Sequence, residues 1–182
     1  MNLAGVILAG GKSTRMGRDK SKLTINNKTL LQQTQYILSS AGIKDVYISG
    51  AQGIIDTYDN KGPLAGISSC LQRLNKYDYI FFTPVDMPLI NKYVVLKLIS
   101  EKNLNATYFK NHFLPLIIKN NLINRKIITQ QLDNNKLSIR NMLERLDATS
   151  LKSHFPESVF LNANTKKDWQ EIKEILENNT TL

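Results

Sequence analysis

From Leu3 to Ala9 the chain reads LAGVILA, seven residues without one polar side chain. A strand with a wet face alternates apolar and polar residues. A strand that is apolar throughout is covered on both faces, as in a parallel sheet between two layers of helices. YIFFT at 79–83 has the same character, and DVYIS at 45–49 supplies a strand between them in sequence.

Between these runs the apolar period changes to that of a helix. TLLQQTQYILSSAG carries Leu30, Leu31, Thr34, Ile37, Leu38 and Ala41 at helical spacing and stops at Gly42. PLAGISSCLQRL opens on Pro63, whose fixed φ suits a first helical turn. NKYVVLKLISE reads as a helix, ATYF and LPLIIK as strands, IITQQL and SIRNMLERL as helices, and SVFLN as a late strand. TKKDWQEIKEILENN closes the chain as a helix, with Thr165 and Asp168 spaced for a capping box and Trp169 as its core anchor. This alternation predicts an α/β fold, a three-layer, mostly parallel Rossmann-like sheet with helices on both faces. With 182 residues and neither repeat nor linker, the expectation is one domain over 1–182.

Composition narrows the class. Hydrophobic residues are 42% and charged residues 21%, ordinary for a soluble globular chain. No apolar run approaches the roughly 20 residues of a membrane helix. MNLAGVILAGG lacks a basic leader region and reads as a first strand. Cys70 is the sole cysteine, which rules out an internal disulfide and fits a reducing compartment. Its helical, apolar setting makes it a small core residue and not a nucleophile. These features give the expectation of a cytoplasmic protein without a membrane partner.

The net charge is +9, and its placement is informative. Residues 12–28 carry Lys12, Arg15, Arg18, Lys20, Lys22 and Lys28 against Asp19, five net positive charges beside one loop. A nucleic-acid binder spreads such charge over a face or along a helix, and interleaves aromatic residues to stack bases. Neither pattern is present, so nucleic acid is not expected as a partner. A small polyphosphate needs the charge in one place.

That loop, LAGGKSTRMGRDK at 8–20, follows the first strand directly. Its GKS at 11–13 matches the ending of a P-loop, but the P-loop's first glycine would fall at Val6, inside the strand. Gly10, Gly11 and Gly17 do not give the G-x-G-x-x-G of dinucleotide-binding folds either. The physics is still that of an anion site. Adjacent glycines let backbone N–H groups approach a phosphate, Arg15 offers a fork, and Lys20 offers a point charge. In open α/β sheets ligands sit at the carboxyl ends of strands, where this loop and Asp86 both fall.

LAGGKSTRMGRDK resembles the signature of the nucleotidyltransferases that activate sugars and cofactors. GPLAGI at 62–67, TPVDMPLI at 83–90, SIRNMLERL and NANT at 162–165 narrow the resemblance to the molybdenum cofactor guanylyltransferases. The motifs occur in the same order over nearly the whole chain. The resemblance implies transfer of GMP from GTP to a molybdopterin-type cofactor, with release of pyrophosphate and dependence on Mg²⁺. It implies that Leu8, Ala9, Gly10 and Gly11 wrap the nucleotide, joined by Asp56 and Gly62. Arg15 and Lys20 would hold the phosphates, with Lys20 near the α-phosphate. Asp86 would hold Mg²⁺ and the nucleotide, making Arg15, Lys20 and Asp86 the catalytic set. Asn162 and Asn164 would lie near the metal or the second substrate. Molybdoenzymes and other cofactor-biosynthesis proteins would be its protein partners.

The chain departs from that pattern in places. The family's asparagine after the second strand is replaced by Ser49 or Gly50, the loop from Gly50 to Lys61 is short, and NTKKD lacks a proline. HFLPLII keeps Pro115 without a histidine directly before it, and neither His112 nor His154 has ligand spacing or an assigned role. Read without the resemblance, Asp56 is a turn former and Asn162 and Asn164 are turn residues before the last helix. Two rival readings stand beside the guanylyl one. A sibling enzyme could use CTP or UTP with a pterin cofactor or a sugar or polyol phosphate. A nucleotide-binding module could lack turnover altogether.

Overall fold

The computed structural model describes residues 2–10, 23–25, 27–58, 60–102 and 105–179, with 178 and 179 described by backbone alone. In chain order its elements are β1 (Leu3–Leu8), β2 (Thr24–Ile25), β3 (Lys28–Thr29), α1 (Leu30–Ser40), β4 (Asp45–Ser49), α2 (Pro63–Arg73) and β5 (Tyr79–Pro84). There follow α3 (Lys92–Ser100), β6 (Ala106–Phe109), β7 (His112–Lys119), α4 (Leu122–Asp133), α5 (Ile139–Arg145), β8 (Thr149–Leu151) and α6 (Lys166–Asn179).

Six strands form one sheet in the order β4-β1-β5-β7-β6-β8. The pairs β4–β1, β1–β5 and β6–β8 are parallel, and β7 runs antiparallel to both its neighbours. The three parallel strands that begin the sheet stop flush, since Leu8 pairs with Ser49 on one side and with Pro84 on the other. The chain leaves β1 toward β4 and then crosses back to β5. This reversal of direction opens a crevice at the carboxyl end of β1.

The apolar strands are covered on both faces, as their composition requires. Ala4, Val6, Leu8, Ile80, Phe82, Leu116 and Ile118 point to a core shared with α2, α4 and α5. Ile7, Phe81 and Ile117 point the other way, to a second core with α1, α3 and α6. Each fully buried Phe or Ile contributes on the order of 1.5–3 kcal/mol relative to exposure. The helices begin where polar caps stand: Thr29 and Gln32 form a capping box on α1, and Asn91, Asn121 and Ser138 cap α3, α4 and α5. The expected Thr165–Asp168 box is present, with reciprocal N–H bonds of 2.8 and 3.1 Å. No helix among the described residues is long and apolar enough to cross a membrane.

Several boundaries differ from the sequence reading. SVFLN is no strand: Glu157–Phe160 form a 3-10 turn that follows Pro156 and buries Val159 and Phe160 in the second core. β7 begins at His112 instead of Leu114, α4 extends to Leu122, and the short β8 was not expected. Trp169 is half-buried, and Ile172 is the fully buried anchor of α6.

The turn after β4 is tight. Gly50 N–H donates to the Ile54 carbonyl, Gly53 N–H to Gly50, and Ile54 N–H to Ile48. Gly53 is exposed, but a Cβ on it would overlap the Ile48 carbonyl oxygen. That clash is with backbone and cannot be relieved by a rotamer change. Gly53→Ala is therefore expected to cost about 1–3 kcal/mol, the range of an overpacked core site. A Tm several degrees lower in thermal unfolding supports this. A change within about 0.5 kcal/mol, usual for surface substitutions, would refute it.

Candidate functional site

Where β1, β4 and β5 stop, the chain beyond each one lines a single cleft of about 950 Å³. Leu8, Ala9 and Gly10 leave β1, Ser49, Gly50 and Ala51 leave β4, and Pro84, Val85, Asp86 and Met87 leave β5. Hydrogen bonds tie the three exits together: Ala9 N–H donates to the Ser49 carbonyl at 3.0 Å, and Val85 N–H to the Leu8 carbonyl at 3.2 Å. The start of α2 forms another wall. Gly62 precedes it with a left-handed φ of 66° and no side-chain cap, and Gly62, Pro63 and Gly66 all line the cleft. This presents the positive end of the α2 dipole to the cavity.

Asp56 is half-buried between Gly10 and α2. Its Oδ1 accepts from the Ser49 hydroxyl at 3.3 Å, and its Oδ2 lies 3.8 Å from where a Cβ on Gly10 would sit. Asp86 stands beyond β5 between the buried Val85 and Met87. Its carbonyl accepts from the Ala163 N–H at 2.8 Å, which pins the NANT segment beside it. Asn162 consequently lines the cleft, and its Nδ2 donates to the Phe160 carbonyl at 3.4 Å. Asn164 is exposed and outside the lining, with its N–H donating to Asp168 at 3.0 Å.

The structure thus brings Leu8, Ala9, Gly10, Asp56, Gly62, Asp86 and Asn162 to one cavity. Gly11, Arg15 and Lys20 lie outside the described residues, as do Lys12, Arg18 and Lys22. Of Ser49 and Gly50, the serine carries the polar contact, while Gly50 takes a φ of 126° in the turn. Cys70 sits in the core beneath this wall. Burial pushes its thiol up to about 12, only partly offset by a hydrogen bond to Ser49, so it is no thiolate nucleophile.

One wall was not foreseen. Because β7 is antiparallel, its first residues reach the same sheet edge at which the parallel strands end. Asn111, His112, Phe113 and Leu114 line the cleft there, with Ile139 and Phe160. The His112 ring stacks on Phe160 at 4.0 Å and 12°, and its Nε2 lies 3.1 Å from Glu157. The adjacent strand readings ATYF and LPLIIK already implied a hairpin at KNH, which was the available signal.

The acids among the described lining residues are Asp56 and Asp86, and no group of three or more His, Cys, Asp or Glu among the described residues is arranged to hold a metal. Two carboxylates and an amide oxygen do fit Mg²⁺, which takes one or two carboxylates and completes its shell with phosphate oxygens and water.

A family model described as MobA-like NTP transferase domain matches residues 5–149. A molybdenum cofactor guanylyltransferase of Xanthomonas euvesicatoria pv. vesicatoria is 30% identical over 175 residues, covering 92% of this chain and 93% of the relative. Among solved structures, the molybdopterin-guanine dinucleotide biosynthesis protein A of Archaeoglobus fulgidus superposes with a TM-score of 0.68 at 17% identity, covering 96% of this chain and 99% of that one. The 4-diphosphocytidyl-2C-methyl-D-erythritol synthase of Anaerococcus prevotii reaches 0.72 at 10% identity, covering 97% and 98%. Both structures share the fold.

Proposed function

The chain belongs to the MobA-like NTP transferase family, and from that premise we propose that it transfers GMP from GTP to a molybdopterin-type cofactor. The observation that carries the reading is the cleft at the carboxyl edge. It unites the start of the glycine loop, the N-terminus of α2, Asp56 and Asp86 in a cavity large enough for a nucleotide and an acceptor. The terminal phosphate of the acceptor attacks the α-phosphorus of GTP, the bond from that phosphorus to the β-phosphate bridge breaks, and pyrophosphate leaves. No covalent nucleophile is needed, and the chemistry rests on positioning and on offsetting charge.

In this reading the backbone of Leu8–Gly11 wraps the nucleotide and the N-terminus of α2 at Gly62 faces anionic groups. Arg15 grips the outer phosphates, and Lys20 offsets charge that develops at the α-phosphate. Asp86 would hold Mg²⁺, with Asn162 beside it and Asn164 further along the same segment. When bound, the metal would neutralise phosphate charge and orient the triphosphate. The wall of His112, Phe113 and Phe160 would face the acceptor.

Thermal protection by each of the four NTPs with Mg²⁺ tests the choice of nucleotide. GTP is expected to raise the Tm most, because a pocket that hydrogen-bonds a base rejects analogues that leave its polar groups unpaired. Greater protection by CTP at equal concentration would overturn the guanylyl reading in favour of a cytidylyl one.

A further inference from the structure

Ser49 is only 2% exposed, yet its hydroxyl is used at the edge of the cleft. It donates to Asp56 Oδ1 at 3.3 Å. The backbone of α2 closes over the pair at Gly66, where a Cβ would lie 2.5 Å from Ser49 Oγ and 3.4 Å from Asp56 Oδ1. A glycine is what lets the helix approach so closely. On its other side Asp56 turns Oδ2 toward Gly10. Ser49, Asp56, Gly66 and Gly10 all line the cavity.

The terminal torsion of an aspartate is broad, so a carboxylate held only at its root samples many orientations of its plane. A hydrogen bond from a buried hydroxyl narrows that freedom. An ionised carboxylate oxygen accepts at two sites, so Oδ1 has the capacity for a second donor beside the Ser49 hydroxyl. Guanine alone among the four bases presents two adjacent donors, N1–H and the N2 amino group, which match the two oxygens of one carboxylate. Adenine and cytosine set a ring acceptor beside their amino group, and uracil sets one N–H between two carbonyls.

We infer that Ser49 is a positioning residue for base selection, whose hydroxyl fixes the Asp56 carboxylate in the plane that accepts guanine N1–H and N2–H together. The inference rests on the guanylyl reading and deepens it. The serine at the end of β4 acts through Asp56 and does not itself touch the base.

Inosine triphosphate, which lacks only the 2-amino group, isolates the effect. Equilibrium binding of GTP and ITP is measured with Mg²⁺ on the full chain, and melting checks that each variant is folded. The wild type should bind GTP more tightly than ITP. Ser49→Ala should weaken GTP binding about tenfold, the loss typical of a hydrogen bond to a charged group. It should barely change ITP binding, so the GTP-to-ITP ratio falls toward one. Gly66→Ala, whose Cβ displaces the Ser49 hydroxyl while favouring the helix, should do the same and decides the matter if Ser49→Ala does not fold. A wild type with no preference for GTP would overturn the guanylyl reading itself. A wild type that prefers GTP, with variants that keep the ratio or weaken both nucleotides equally, would overturn the role of Ser49 alone.

Discussion

Lys20→Ala is expected to reduce turnover by about 10²–10³-fold while leaving GTP binding nearly unchanged. The described part of the cleft carries two carboxylates, Asp56 and Asp86, and a triphosphate adds further negative charge. In the proposed reading the cations that answer it would come from residues 12–22, where Lys12, Arg15, Arg18, Lys20 and Lys22 follow Gly10 and Gly11 in sequence. Among these, Lys20 occupies the place that the family resemblance puts near the α-phosphate. Charge builds there only as the acceptor oxygen arrives and pyrophosphate departs, so the lysine stabilises the transition state more than the bound substrate. Arg15→Ala should instead raise KM with a smaller change in kcat, because contacts to the outer phosphates are made before and during the reaction alike. Steady-state kinetics with GTP varied at fixed acceptor separates the two patterns. Intact turnover in Lys20→Ala would remove the assignment.

Asp86→Asn is expected to drop Mg²⁺-dependent transfer below about 1% of wild type. The substitution keeps the shape of the side chain and leaves the Asp86 carbonyl free to accept from Ala163, as it does at 2.8 Å. The NANT segment therefore stays in place, and the ligand-free Tm should change little. What is lost is the negative charge that a hard cation requires, since an amide oxygen is a far weaker partner for Mg²⁺ than a carboxylate. Transfer measured across a Mg²⁺ titration should show an Asp86→Asn enzyme that added metal does not restore. Equal metal dependence in mutant and wild type would exclude Asp86 and direct attention to Asp56 or to Asn162 and Asn164.

Much of this frame was legible because its signals are local. LAGVILA and YIFFT had to be covered on both faces, and the sheet buries Val6 toward one core and Ile7 toward the other. Asp86 and Gly10 belong to one edge because both follow strands that run the same way. What escaped depends on pairing between distant segments. SVFLN has the composition of a strand, but it lies behind Pro156 with no partner, so Val159 and Phe160 are buried by a 3-10 turn. β8 is three residues long and largely exposed, and only its pairing with β6 makes it a strand. His112 carried no sequence signal of its own. It reaches the cleft because β7 is antiparallel, and it is held there by stacking on Phe160. The bond from Ser49 to Asp56 spans seven residues, across a turn whose path depends on backbone contacts at Gly50 and Gly53.

The central claim is that the bond broken lies between the α- and β-phosphates of GTP. Incubating the chain with molybdopterin-type acceptor, Mg²⁺ and GTP labelled at either the α- or the γ-phosphate tests it directly. The account predicts that α-label enters a dinucleotide product while γ-label is released as pyrophosphate. Entry of γ-label into the acceptor, or hydrolysis of GTP with no label transferred from either position, would contradict it.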